Sequence, residues 1–97
     1  MAEITWTVEA HCWLQDIFEY IAADNPVAAA HTVRDLYDRA QSLARFPKLA
    51  YRYQASMRHV RILLHDHFRI AYLIKDDGNI DILGVFHGAL EIDSYLL

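Results

Sequence analysis

The stretch VRILLHDHFRIAYLI, residues 60–74, decides the fold. It is two apolar runs separated by a His-Asp-His triplet, and each run contains an arginine, Arg61 and Arg69. β-branched and aromatic residues in runs of this length specify strands, and the short polar interruption specifies a hairpin. A third strand-like run, 79–87, follows DDGN (76–79), whose Asp77-Gly78 pair is a strong hairpin-turn signal. Three strands over 57–64, 68–75 and 79–87, joined by two tight links, predict an antiparallel meander.

Upstream, the polarity changes period. Ala10, Trp13, Leu14, Ile17 and Ile21 recur at helical spacing, with Thr7 placed to cap the segment and Glu9 in its first turn. The pattern predicts an amphipathic helix from residue 8 to about 23. Asn25 and Pro26 supply a second N-cap and first-turn proline, and Ala29, Val33, Leu36, Tyr37, Ala40, Leu43 and Ala44 share a stripe that ends near Phe46-Pro47. So short a link makes the two helices an antiparallel hairpin. Before them, Ile4, Trp6 and Val8 alternate as in a short strand over 2–7. Residues 47–56 read as a loop, in which Tyr51 and Tyr53 either stack on a partner or pack over the hairpin. The tail ALEIDSYLL reads as a short helix or a last strand. The expected fold is therefore α+β: one domain over 1–97, β-α-α-β-β-β, with an antiparallel sheet against a helical hairpin.

The 97 residues are 55% hydrophobic and 23% charged, which excludes a disordered chain. Cys12 is the only cysteine, so there is no internal disulfide, as suits a reducing compartment. No secretory signal or membrane-length apolar run is visible, which sets the expectation of a cytoplasmic protein without membrane association. The net charge of −4 argues against a general nucleic-acid binder. Its distribution is uneven. Residues 1–44 hold two bases and seven acids, residues 45–75 hold seven bases and Asp66 alone, and residues 76–97 hold five acids and no base. A basic middle third suggests a localised patch for an anionic partner.

Strand side chains alternate between faces. If Leu64 lies beside Phe68 and Ile74 beside Ile80, one face collects Val60, Ile62, Leu64, Phe68, Ile70, Tyr72, Ile74, Ile80, Ile82 and Phe86, and the helices should cover it. The other face then holds His59, Arg61, Leu63, Arg69, Ala71, Leu73, Lys75, Asp81, Leu83, Val85 and His87. An apolar surface rimmed with cations is a binding-site signature. On this register His59, Arg61, Leu63, Arg69, Leu73, Leu83 and His87, with Arg58 at the strand's start, are the expected partner-binding residues. The alternative is that the arginine stems merely cover Leu63 and Leu73.

Other constellations carry less. His65 and His67 form a bare H-x-H in a turn, and without a defined third ligand no metal site is expected. No cofactor motif is present. Cys12 beside Trp13 reads as a small helix-packing residue, and Trp6 and Trp13 as core aromatics.

Several segments in order, Trp6, IFEYIAADNPVAAA (17–30), LARFP (43–47), VRILL (60–64), FRIAYLI (68–74) and ILGVFHGA (82–89), resemble the RelE/ParE superfamily of bacterial toxins over nearly the whole chain. The resemblance implies the same strand and helix order, and an adjacent antitoxin whose C-terminal segment wraps the toxin in a hetero-oligomer. It implies one of two activities: ParE-like poisoning of DNA gyrase, or RelE-like cleavage of mRNA on the ribosome. YIAADNP and VFHGA are the more ParE-like segments, so a non-enzymatic gyrase inhibitor is favoured, with the nuclease and an inactive antitoxin-binding member as alternatives. Under the nuclease alternative the resemblance assigns catalytic positions to Arg61, Arg69, His87 and Tyr95. RelE-like nucleases carry paired loop lysines, where this chain has Lys48 alone, and Leu90 stands where many ParE-like members have an arginine.

Overall fold

The computed structural model describes residues 1–52 and 60–87, with 51 and 52 as backbone only. Its elements are β1 (Ile4–Trp6), α1 (Val8–Ala22), α2 (Pro26–Gln41), a 3-10 turn (Ser42–Ala44), β2 (Tyr51–Arg52), β3 (Val60–His65), β4 (Phe68–Ile74) and β5 (Ile80–Phe86). The strands form one sheet in the order β1-β5-β4-β3-β2. β3, β4 and β5 are the expected antiparallel meander. The sheet as a whole is mixed, because β1 lies parallel to β5 with Ile4 beside Ile80 and Trp6 beside Ile82. The two-residue β2 was read from the sequence as loop; it pairs antiparallel with β3. The expected tail element lies outside the described residues.

Capping explains where the helices start. Thr7 Oγ1 accepts from Ala10 N at 3.1 Å and donates to Ile82 O at 2.8 Å, so one hydroxyl both caps α1 and ties it to β5. Asn25 is extended, as the residue before a proline must be, and its side chain accepts from Ala28 N at 3.1 Å. α2 stops at Gln41, earlier than the apolar stripe suggests, and tightens into the 3-10 turn before Pro47. The β4–β5 turn closes through Gly78, at φ +86°, with Asn79 N donating to Asp77 Oδ1 at 2.9 Å.

The register corrects the expected faces. His65, not Leu64, pairs with Phe68, so Leu63 lies beside Ile70 and Arg61 beside Tyr72. The turn has two residues rather than three, with Asp66 in the left-handed region at φ +53°. Losing one residue inverts the whole of β3. A second irregularity follows in β5: Ala71 pairs with Gly84 but Tyr72 with Ile82, which leaves Leu83 as a bulge. Beyond the bulge Val85 turns to the helix side and Phe86 to the other, the reverse of the expectation.

Both sides of the sheet are apolar at their centres, and this is why the hydrophobic pattern did not fix the register. Leu63, Ile70, Tyr72, Ile80, Ile82 and Val85 pack with Leu14, Leu36 and Leu43 in the main core. Val60, Ile62, Ala71 and Phe86 form a second buried cluster, with Leu83 and Trp13 against it. Arg61 and His65 fit on the helix side because they stand toward opposite ends of β3 with Leu63 between them. Trp6 and Trp13 belong to or pack on the core, as expected. Cys12 does not: it is exposed on α1. No helix among the described residues is long and apolar enough to cross a membrane.

Candidate functional site

Two surfaces stand at opposite ends of the meander. The first is a groove of about 800 Å³ between the helical hairpin and the β3–β4 turn. α1 contributes Trp13, Asp16, Ile17, Tyr20 and Ile21, α2 contributes Thr32 and Asp35, and the sheet contributes His65 to Phe68, Val85 and His87. Asp16 and Tyr20 are one helical turn apart, so helical periodicity aims both at the same rim. The His87 ring lies 5.6 Å from Phe68 and 6.2 Å from His67, centroid to centroid. His65 Nε2 approaches Asp66 Oδ2 at 3.8 Å. The lining is thus apolar at its floor, with three carboxylates and three imidazoles about it. Among the described residues no group of three or more His, Cys, Asp or Glu is arranged to hold a metal ion.

A smaller recess of about 380 Å³ adjoins it on the far side of the turn, lined by Leu64, Asp66, His67, Phe68, Arg69 and His87. Leu64 is 51% exposed there.

The second surface lies where Arg61 and Tyr72 sit side by side. Arg61 Nη1 donates to Ala50 O at 3.0 Å, and the Tyr72 hydroxyl donates to Pro47 O at 2.7 Å. Tyr72 is fully buried. Burial pushes its phenol above the usual 10.0, and the Ala50 backbone and the Arg61 guanidinium pull partly against that. These two bonds fasten residues 47–50 to the sheet. Phe46, Pro47, Lys48 and Leu49 frame a shallow recess there. The sequence held no signal for the fastening, because it depends on Arg61 and Tyr72 being cross-strand partners.

The expected partner-binding set is therefore not one surface. Arg61 is on the helix side and Arg69, beside Leu64 and Phe86, is on the other. Leu63 is 2% exposed and belongs to the core. Leu73 pairs with Val60 and is half-buried, as is the bulged Leu83. His87 reaches His67 and shares the small recess with Arg69. Arg58, His59, Tyr53 and Tyr95 lie outside the described residues.

RNA cleavage requires a base for the 2′-OH, an acid for the leaving oxygen and cations on the phosphate around one point. Arg69 and His87 are near each other, but Arg61 is bonded to Ala50 O on the opposite face. The expected nuclease residues that can be placed are not gathered into one site.

Comparison with known proteins points one way. The family model for the ParE toxin of the type II toxin–antitoxin system, parDE, matches residues 4–91. The fold is similar to a chain of the chromosomal ParDE toxin–antitoxin system from P. aeruginosa, with a TM-score of 0.77 and 22% identity over 92% of this chain and 98% of that one. It is also similar to a chain of the RelBE2 toxin–antitoxin complex from Mycobacterium tuberculosis, with a TM-score of 0.65 and 20% identity over 90% of this chain and 98% of that one. No curated protein sequence matches closely enough to count as a relative.

Proposed function

The chain belongs to the ParE toxin family of type II toxin–antitoxin systems, and from that premise we propose that it arrests growth by binding DNA gyrase in the cytoplasm rather than by cutting RNA. The observation that carries this reading is the separation of Arg61 from Arg69 and His87. A protein-directed inhibitor needs shaped surface and no convergent acid–base set. The chain offers a groove and an exposed, fastened loop instead. The similar folds come from a toxin–antitoxin system and a toxin–antitoxin complex. That supports a cognate antitoxin, encoded beside this chain, that binds it and neutralises it.

A second reading, ribosome-dependent mRNA cleavage, is favoured by one observation: Arg69 and His87 line the same recess. Expression from a tight promoter without the antitoxin separates the two. Gyrase poisoning gives a DNA-damage response and filamentation, reversed by co-expressing the adjacent antitoxin. Immediate translation arrest with cuts at defined codon positions would support the nuclease. Unimpaired growth would leave a chain that only binds its antitoxin.

A further inference from the structure

We infer that the turn of residues 45–49 is the surface that meets an acidic, apolar-bearing segment of the target protein, and that Arg61 and Tyr72 are positioning residues that hold it out. This rests on the reading of the chain as a protein-directed toxin.

The turn combines a fastened backbone with exposed apolar side chains. Leu49 N donates to Phe46 O at 3.0 Å and Ala2 N to Ala44 O at 3.2 Å. Pro47 O and Ala50 O take the Tyr72 and Arg61 bonds. Every few residues the main chain is tied to the body of the protein. Yet Phe46 is 60% exposed and Leu49 47% exposed, about a recess of about 390 Å³. An aromatic, a leucine and a cation on an ordered backbone lose little further freedom on docking, and such small ordered clusters dominate the energy of protein interfaces.

Charge selects the partner. Arg45 and Lys48 are exposed, and no acid occurs in the sequence between Asp38 and Asp66. The groove at the other end of the meander carries Asp16, Asp35 and Asp66. An acidic segment is therefore attracted to the turn and repelled from the groove. The phosphate backbone of a duplex would satisfy the cations but leave Phe46 and Leu49 in water, so a protein segment with its own apolar side chain is the better fit.

The test uses the full chain with Phe46→Ser combined with Lys48→Glu, and separately Tyr72→Phe. We expect the double variant to need about tenfold more toxin for growth arrest. Its thermal unfolding and its affinity for the adjacent antitoxin should stay within about twofold of the parent. Tyr72→Phe should weaken arrest less, and combining it with Phe46→Ser should give less than the sum of the two losses, which a merely stabilising role would not produce. Undiminished arrest by the double variant overturns the inference, as does an equal loss of antitoxin affinity or a matching loss of binding to duplex DNA. If the parent arrests growth without inhibiting gyrase while the double variant still fails to arrest, the turn remains the docking surface and only the gyrase assignment falls.

Discussion

Tyr72 links packing to display at the level of a single side chain. Its ring lies in the main core and its hydroxyl donates to Pro47 O. Tyr72→Phe keeps the ring and leaves that carbonyl without its donor, which should cost about 1 kcal/mol in a denaturant titration near neutral pH. The pH dependence has a defined sign. The folded phenol titrates above 10.0, so its contribution is complete below pH 10.0 and disappears as pH rises through the higher folded value. The parent should thus lose stability into alkali more steeply than Tyr72→Phe; parallel curves would show that the hydroxyl is not held neutral by the fold. Gly84 is needed for a different reason. A Cβ there would come within 2.7 Å of the Phe86 ring and 3.2 Å of Trp13. Gly84→Ala should therefore destabilise by roughly 1–3 kcal/mol, since the two rings are packed at 4.7 Å and have little room to move. Equal midpoints for Gly84→Ala and the parent would contradict that packing.

Among the elements, the β3–β4 hairpin explains what was and was not legible in the sequence. Periodicity and caps placed α1, the start of α2 and the three meander strands to within a few residues. Thr7, Asn25 and Asp77-Gly78 act as their chemistry requires. The strand faces were not legible, because β3 alternates between two sets of apolar residues and both are buried. Where hydrophobicity does not choose the register, the turn does. Asp66 tolerates its left-handed conformation better than a β-branched residue, and that local tolerance sets which way Arg61 points. Asp66→Val should cost about 1–2 kcal/mol by equilibrium unfolding, while Asp66→Gly should be near neutral. If Asp66→Val were as stable as Asp66→Gly, the left-handed turn would not be what fixes the register. The bulge at Leu83 had one local mark, the strand glycine Gly84 beside it, which the strand reading passed over, and it decides that His87 meets Phe68.

At the scale of the molecule, the two described strand arginines of the basic middle third do not share a face. Arg61 and Arg69 lie on opposite sides of the sheet, and Arg61 is engaged in holding a loop. What emerges is a toxin fold with an acid- and histidine-lined groove at one end and a basic, apolar turn at the other. The family was legible from segments in the right order; the site was not, because its composition depends on two irregularities of one residue each. Whether this fold acts on a protein or on RNA is decided by one assay. The purified full-length toxin is added to DNA gyrase and relaxed plasmid, with supercoiling followed on a gel, and in parallel to a ribosome–mRNA mixture scored for cleavage. We expect loss of supercoiling that the adjacent antitoxin reverses, and intact mRNA. Unimpaired supercoiling together with mRNA cut at codon positions would contradict that expectation.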